Sequence, residues 1–130
     1  MKNLSLTLLI FILVAAAYGF AETTIADVNI PFSFIADGKT YPAGHYRFST
    51  NEPETAIKID GLKPANTNGV ALVVTRLSGR TENTVNFVFD VAGNNHYLSE
   101  IHVPNQDGFY FKSAMEKHTH VTVKGEKSKS

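Results

Sequence analysis

The sequence predicts an all-β protein that folds as a single antiparallel β-sandwich of about eight or nine short strands, with a small β-barrel as the alternative. Apolar and polar residues alternate in several short runs, and no window of ten or more residues after residue 21 has helical periodicity. Glycines recur between these runs, where they favour turns. The 130 residues leave no room for a second core beside this one.

Residues 28–48 carry the clearest strand and turn signals. Their first part places apolar residues at every second position, so that all of them face one side of an extended chain: Val28, Ile30, Phe32 and Phe34. Asp37-Gly38 then has the composition of a two-residue hairpin turn, and Pro42-Ala43-Gly44 breaks the chain again before the alternation resumes. We expect a strand, a hairpin and a further strand that supply part of the core.

The middle of the chain contains a loop and a strongly apolar segment. Residues 61–69 include Pro64 and two asparagines, which indicates the longest loop of the first half. Residues 70–75 are apolar at both alternating sets of positions, a pattern typical of a strand that is buried on both faces. We therefore expect residues 70–75 to form a central strand.

The last third predicts a three-stranded antiparallel meander. Apolar residues of the first two strands coincide when Phe87 faces Ile101, a register that also places Phe89 opposite Ser99 and Val91 opposite Tyr97. The third strand is expected to begin at Phe109 and to run on as far as Val123. Its predicted register pairs Val103 with Phe109 and therefore also includes these pairs: Ile101 with Phe111, Tyr97 with Met115, Glu100 with Lys112, and His96 with Glu116.

The N-terminal segment has the organisation of a signal peptide. Lys2 precedes an apolar run over residues 4–17, and Gly19-Phe20-Ala21 provides small residues for cleavage after Ala21. The apolar run is shorter than the roughly 20 residues that span a bilayer, so no membrane span is expected after cleavage. The sequence thus predicts residues 1–21 as signal peptide, 22–123 as the β-domain, and 124–130 as a disordered lysine-rich tail. The predicted location is secreted or periplasmic.

Composition disfavours several classes of function. Twelve basic and twelve acidic residues balance, so no positive field attracts nucleic acid. Cysteine is absent, which excludes disulfides, a lipid-modified cysteine and a cysteine nucleophile. There is no Gly-x-Ser-x-Gly segment, and no glycine-rich phosphate loop opens a helix. We therefore expect a protein that is not an enzyme.

The histidines are the candidate site-forming residues. His118 and His120 are two positions apart, so both imidazoles lie on one face of a strand together with Glu116. The predicted meander adds His96 opposite Glu116. Imidazole and carboxylate groups are ligands of Zn²⁺ and Cu²⁺, so His96, Glu116, His118 and His120 form a candidate metal site. His45 and His102 are interpreted as outward-facing strand residues.

The run Pro31-Phe32-Ser33-Phe34, followed by Gly38-Lys39 and by Pro42-Ala43-Gly44-His45-Tyr46, resembles a family of short, uncharacterised secreted bacterial proteins. These share a Pro-Phe-x-Phe, Gly-Lys, Pro-Ala-Gly-x-Tyr pattern after a signal peptide. The resemblance covers about twenty residues and implies export and a β-domain. It carries over no functional residue.

Three functional hypotheses follow. The leading one is a non-enzymatic exported β-domain with a binding role or a structural role in the envelope or outside the cell, where its partner is an unknown protein or envelope component. The first alternative is a metal-binding protein that uses the histidine and glutamate residues named above. The second is a small-ligand carrier, because nine phenylalanines and five tyrosines are enough to line a cavity, although their inward positions favour the core.

Overall fold

The computed structural model describes residues 22–79, 83–112 and 117–126, and in these ranges every regular element is a β-strand. The all-β prediction is therefore confirmed. The strands are more numerous than predicted, because several of the expected strands are interrupted. In chain order the described strands are β1 (Glu22–Ile30), β2 (Phe34–Ala36), β3 (Lys39–Tyr41), β4 (Gly44–Asn51), β5 (Ala56–Gly61), β6 (Asn68–Leu72), β7 (Thr75–Leu77), β8 (Asn86–Ala92), β9 (Asn95–His102), β10 (Gly108–Tyr110) and β11 (Thr119–Lys124).

The strands form two open sheets around one aromatic-rich core. The first sheet has the order β1-β4-β5-β6, and the second has the order β11-β8-β9-β10-β7. The β2–β3 hairpin joins the second sheet, where Ile35 pairs in parallel with Tyr97 of β9, while the other described strand pairs are antiparallel. The molecule is thus a β-sandwich, as the sequence predicts, and not a single closed sheet.

The Asp37-Gly38 turn has the predicted hairpin conformation. Its two residues have φ angles of 49° and 79°, and two consecutive positive φ angles are the pattern of a type I′ turn. The next break, Pro42-Ala43-Gly44, separates β3 from β4, and the Tyr46 hydroxyl donates a hydrogen bond to the Pro42 carbonyl oxygen. The Pro-Ala-Gly-x-Tyr segment is therefore a turn that its own tyrosine holds closed.

The opening run contributes to both sheets of the sandwich. Ile30 ends β1 in the first sheet and Phe34 begins β2 in the second, so the chain crosses between the sheets at residues 31–33. Rings from the two sheets meet in the core, where the ring centroids of Phe48 and Phe87 are 4.7 Å apart. The expectation that most aromatic residues form the core is confirmed for the largest fully buried rings: Phe34, Tyr41, Tyr46, Phe48, Phe87 and Phe89.

The predicted meander of β8, β9 and β10 is present, but its register changes at a bulge. Phe87 faces Ile101 as expected. Ser99 is then an extra residue in β9, so that Phe89 faces Leu98 instead of Ser99. The bulge shifts the pairing by one residue and reverses which β9 side chains beyond it face the core, so that Leu98 takes the core-facing position in place of Tyr97. The register after the bulge was predicted wrongly for this reason, and Val91 faces His96 rather than Tyr97.

The third strand of the meander is shorter than predicted. β10 places Phe109 opposite Ile101 and Tyr110 opposite Glu100, a register displaced by two residues that keeps the same face toward the core. The expected continuation to Val123 is wrong, because β11 is a separate strand that pairs with β8 on the far side of the sheet. Lys112 therefore does not face Glu100. The predicted pairings of Tyr97 with Met115 and of His96 with Glu116 involve residues outside the described ranges.

The segment predicted as a central strand lies at an edge. β6 is the last strand of the first sheet, and Val70, Leu72 and Val74 are 53%, 62% and 59% exposed. Consecutive residues then bond to different sheets, since Val73 N–H donates to Thr55 O and Val74 N–H to Tyr110 O. The prediction of a central strand is therefore wrong. The apolar residues of this segment lie on an exposed edge strand and at the point where the chain crosses between the sheets, and they are not buried on both faces.

Two further expectations require correction or refinement. Lys124 pairs with Asn86 at the end of β11, and Glu126 forms a backbone bridge with Asp27 of β1, so residues 124–126 belong to the sandwich and not to a disordered tail. His102 lies on the face of β9 opposite the core residue Ile101, as an outward-facing residue does, but it is 5% exposed and its Nε2 atom is 3.5 Å from Glu100, whereas His45 is exposed. Residues 1–21 and 127–130 lie outside the described ranges.

Candidate metal centre

His118 and His120 approach one carboxylate on the outer face of the second sheet. In the β11–β8 register His120 lies directly opposite Asp90, and His118 precedes it by two residues. The His120 Nδ1 atom is 2.9 Å from Asp90 Oδ1, and the His118 Nε2 atom is 3.5 Å from the same oxygen. The two imidazole rings are 5.0 Å apart and nearly perpendicular. Two nitrogen ligands and one oxygen ligand thus converge from neighbouring strands.

Asp90 is the buried member of this group. Its side chain is 1% exposed although it projects from the face of β8 opposite Phe89, which lies in the core. Within the described part of the chain, no donor approaches Oδ1 with good hydrogen-bonding geometry, even though two imidazole nitrogens lie nearby. A carboxylate withdrawn from water requires a compensating charge, a hydrogen bond or a metal ion. Asp90 Oδ1 is therefore compensated by the two neighbouring imidazoles but accepts no well-aligned hydrogen bond from the described residues.

The spacing of the three groups matches that of metal ligands. One ligand atom from each of Asp90, His118 and His120 lies within 4.8 Å of the others. With metal–ligand bonds of about 2.0–2.1 Å, two ligand atoms of a tetrahedral site are about 3.3 Å apart. The nitrogen–oxygen distances of 2.9 Å and 3.5 Å bracket this value. The two nitrogen–oxygen distances are therefore compatible with coordination of one ion by the three side chains.

The site is accessible from solvent on one side. The His118 side chain is 27% exposed and that of His120 is 59% exposed, whereas Asp90 closes the inner side. An ion can reach the histidines from solution. Three protein ligands leave at least one position of a four-coordinate ion for water or another small ligand.

The structure separates the residues that the sequence grouped as a metal site. His96 pairs with Val91, which lies on the same core-facing side of β8 as Phe89, and the His96 ring stacks on Phe32 at a centroid distance of 4.0 Å. Asp90 and His120 occupy the opposite face, because adjacent residues of a strand alternate. His96 is therefore not brought to His118 and His120, and Glu116 lies outside the described ranges.

Asp90 is the ligand candidate that the sequence did not assign to the site. It lies between the apolar residues Val88 and Ala92 on its face of β8, and an acidic residue between two apolar ones is a recognisable signal. However, Asp90 joins the histidines only through the pairing of β8 with β11, and two strands lie between them along the chain. The meander predicted from the sequence places His96, and not Asp90, beside His118 and His120.

A surface cleft of about 420 Å³ lies away from the histidines, at one end of the sandwich. Its lining residues are uncharged and include Ile25, Val85, Val103 and Pro104. The carrier interpretation would have to place its ligand in such a cleft, because the space between the sheets is filled by aromatic rings. The cleft contains none of the three metal-ligand candidates.

Comparison with known proteins adds no relative from which a function can be transferred. No protein-family model, no curated protein and no solved structure matches this chain. The residues described here include no helix that is both long and apolar enough to cross a bilayer.

Proposed function

We propose that this chain is a non-enzymatic, exported β-sandwich that binds a divalent transition-metal ion through Asp90, His118 and His120. The observation that carries the proposal is the convergence of two imidazole nitrogens on the buried Asp90 Oδ1 atom. Imidazole and carboxylate ligands suit Zn²⁺ and Cu²⁺ better than Ca²⁺ or Mg²⁺, which prefer sites made of oxygen ligands. The proposed ions are therefore Zn²⁺ and Cu²⁺.

Binding is a better proposal than catalysis for this geometry. His120 is largely exposed on the face of a sheet, and the described cleft is lined by other residues. A catalytic metal site also needs a pocket that orients the substrate and excludes water. We therefore assign the ion to binding and retention, with water in the remaining coordination position.

Export is the second part of the proposal. The signal-like segment ends at Ala21, and Glu22, the next residue, already pairs with Asn51 in β1. Cleavage after Ala21 would therefore leave every described strand intact. Mass spectrometry of the protein from the culture medium and the periplasm should find a chain that begins at Glu22, and recovery of the uncleaved chain alone from the cytoplasm would contradict export.

The metal site is tested by titrating the metal-free chain from Glu22 onward with Zn²⁺ and Cu²⁺ in a calorimeter. His118→Ala and His120→Ala should each weaken binding by about tenfold or more, because each removes a ligand. His45→Ala removes an exposed histidine elsewhere and should leave the affinity unchanged.

Electron paramagnetic resonance of the Cu²⁺ form provides an independent measurement. Two equivalent nitrogen couplings are expected in the wild-type protein and one in each single variant. Equal affinity in the His45→Ala and His120→Ala variants, or no binding by the wild-type protein, would refute the site.

A further inference from the structure

β6 has a free edge whose backbone groups point away from the sheet. Val73 N–H donates to the carbonyl oxygen of Thr55, which directly precedes β5, and Gly61 N–H of β5 donates to Thr67 O, so the backbone groups of residues 67 and 73 face the β5 side. The same alternation turns the backbone groups of Asn68, Val70 and Leu72 toward the open edge. Unpaired groups on an edge strand form a template for another strand.

Two charged side chains from the β2–β3 hairpin occupy the ends of this edge. Asp37 Oδ2 accepts a hydrogen bond of 3.3 Å from Leu72 N–H, and Lys39 Nζ donates to Asn68 O. The acid and the base therefore lie on either side of Val70, each two residues from it along β6. The Val70 backbone N–H and C=O point outward between them.

Apolar side chains accompany the open backbone groups. Val70 and Leu72 project from the outer face of the first sheet and are more than half exposed, and Val74 continues the same alternation. Elsewhere on this face the neighbouring strands carry paired charges, such as Lys58 with Glu22. The edge thus combines the outward backbone groups of Val70 with apolar surface, and together these favour association with another strand. For such association, the bonds of Asp37 to Leu72 and of Lys39 to Asn68 would have to be exchanged.

We infer that β6 pairs antiparallel with β6 of a second copy, around a twofold axis at Val70. In this register Val70 exchanges two backbone hydrogen bonds with the Val70 residue of the other copy, and Leu72 lies opposite Asn68. Because Asp37 lies beside Leu72 and Lys39 beside Asn68, the Asp37 carboxylate of each copy meets the Lys39 ammonium of the other. The two charges that occupy the edge of a single copy become intermolecular ion pairs.

Charge complementarity favours a second copy over other occupants. An unrelated extended peptide would need its own acidic and basic groups at matching distances from the centre, whereas a twofold axis supplies them automatically. The formal net charge of zero adds no long-range repulsion between copies. The pairing joins the two four-stranded sheets into one continuous sheet.

The test is sedimentation equilibrium of the chain from Glu22 onward over a concentration series. The wild-type protein should form a reversible dimer. Val70→Lys places two like charges against each other at the axis and should raise the dimer dissociation constant by about tenfold or more. Thr122→Lys puts the same residue on β11, an edge of the other sheet, and should leave the dissociation constant unchanged.

Charge reversal tests the register. Lys39→Glu opposes Asp37 of the other copy and should weaken the dimer, whereas Lys63→Glu reverses an exposed lysine in the β5–β6 loop and should not. Amide exchange in the wild-type protein should slow at Val70 as concentration rises, a readout that requires no variant.

A wild-type protein that stays monomeric would overturn the inference and would mean that Asp37 and Lys39 shield the edge. A dimer that Val70→Lys leaves unchanged would overturn it as well, because its interface would lie elsewhere. A wild-type monomer that binds only extended peptides would show that the edge accepts a foreign strand instead of a second copy.

Discussion

On the outer faces of the two sheets, the negative charges of the carboxylates are compensated by different kinds of side chain. On the first sheet Asp27 accepts two hydrogen bonds from Arg47, of 2.8 Å and 3.0 Å, and Lys58 lies 3.1 Å from Glu22 and 3.7 Å from Asp60. On the second sheet the described side chains that pair with the buried Asp90 are the imidazoles of His118 and His120.

This difference separates a structural face from a candidate binding face. The pKa values of Arg47 and Lys58 are raised, chiefly by hydrogen bonds to Asp27 and Glu22 respectively, so both cations stay charged and leave no ligand nitrogen for a metal. Imidazole nitrogens, in contrast, bind metal ions when they are deprotonated. The nature of the cationic partner therefore decides which face can exchange a proton for an ion.

Among the substitutions considered, replacement of Asp90 should have the largest effect on the difference between the two sheets. At a metal concentration of about 100 times the dissociation constant, the ion should raise the free energy of unfolding of the wild-type protein by about 2.7 kcal/mol. Asp90→Asn keeps the shape of the side chain but weakens the oxygen ligand, so most of this increase should disappear. Denaturant unfolding with and without Zn²⁺ measures the effect.

Asp27→Asn is the matched control for that experiment, since it makes the same change on the first sheet. It should leave the metal-dependent increase intact. An Asp90→Asn variant that gains as much stability from Zn²⁺ as the wild-type protein would show that the ion binds elsewhere.

Substitution of His120 by arginine should give the second sheet the chemistry of the first. His120→Arg places a permanent cation beside Asp90 and removes a metal ligand, so metal binding should be lost while the metal-free fold is retained. His120→Ala also removes the ligand but supplies no cation. Its metal-free form should be about 1–3 kcal/mol less stable than that of His120→Arg, as measured by urea unfolding, because it leaves a buried polar group with fewer partners.

Equal stability of the two His120 variants would contradict this prediction. It would indicate that Asp90 does not depend on His120 for compensation. Retention of Zn²⁺ by His120→Arg would contradict the ligand role itself.

The smallest effects at neutral pH are expected from two buried tyrosines that belong to neither outer face. Tyr41 has a hydroxyl group with no hydrogen-bond partner among the described residues, whereas the Tyr46 hydroxyl donates to Pro42 O. Tyr41→Phe should therefore be neutral or slightly stabilising, and Tyr46→Phe should lower the free energy of unfolding by about 1 kcal/mol.

Alkaline pH provides a second comparison of these tyrosines. Burial and the charge of Asp37 raise the pKa of Tyr41 above 10.0, and burial and Tyr41 raise the pKa of Tyr46. Above pH 10 the unfolded chain loses tyrosine protons that the folded protein retains, so the stability should fall as pH rises. The decline should be shallower in Tyr41→Phe, and identical slopes for that variant and the wild-type protein would refute the assignment.

Local signals predicted the architecture well. Alternation identified the core strands, and the positive φ angles that Asp37-Gly38 tolerates placed the hairpin correctly. The pairing of Phe87 with Ile101 also followed from matching apolar sets on strands joined by a short turn. These features depend on neighbours in the sequence, which is why the chain alone reveals them.

Features that depend on distant strands could not be predicted in the same way. Either Tyr97 or Leu98 could continue the core-facing set of β9 from Ile101, so the extra residue at Ser99, which selects Leu98, has no distinct signal in the sequence. The apolar character of Val70 and Leu72 does not distinguish a buried strand from an exposed edge. Asp90 could be linked to the histidines only by knowing that β11 returns to β8 and does not extend the meander.

The place of β11 in the chain also affects when the proposed site can exist. Asp90 lies in β8, His118 directly precedes β11 and His120 lies in it, so β9 and β10 are synthesised between the two halves of the site. The ligands meet only after β11 has paired with β8. The same segment of the chain then forms the bridge between Glu126 and Asp27 of β1. Under the proposed function, only completely folded molecules would consequently bind the ion. Chains that are truncated or only partly translocated would lack the site and would not bind it.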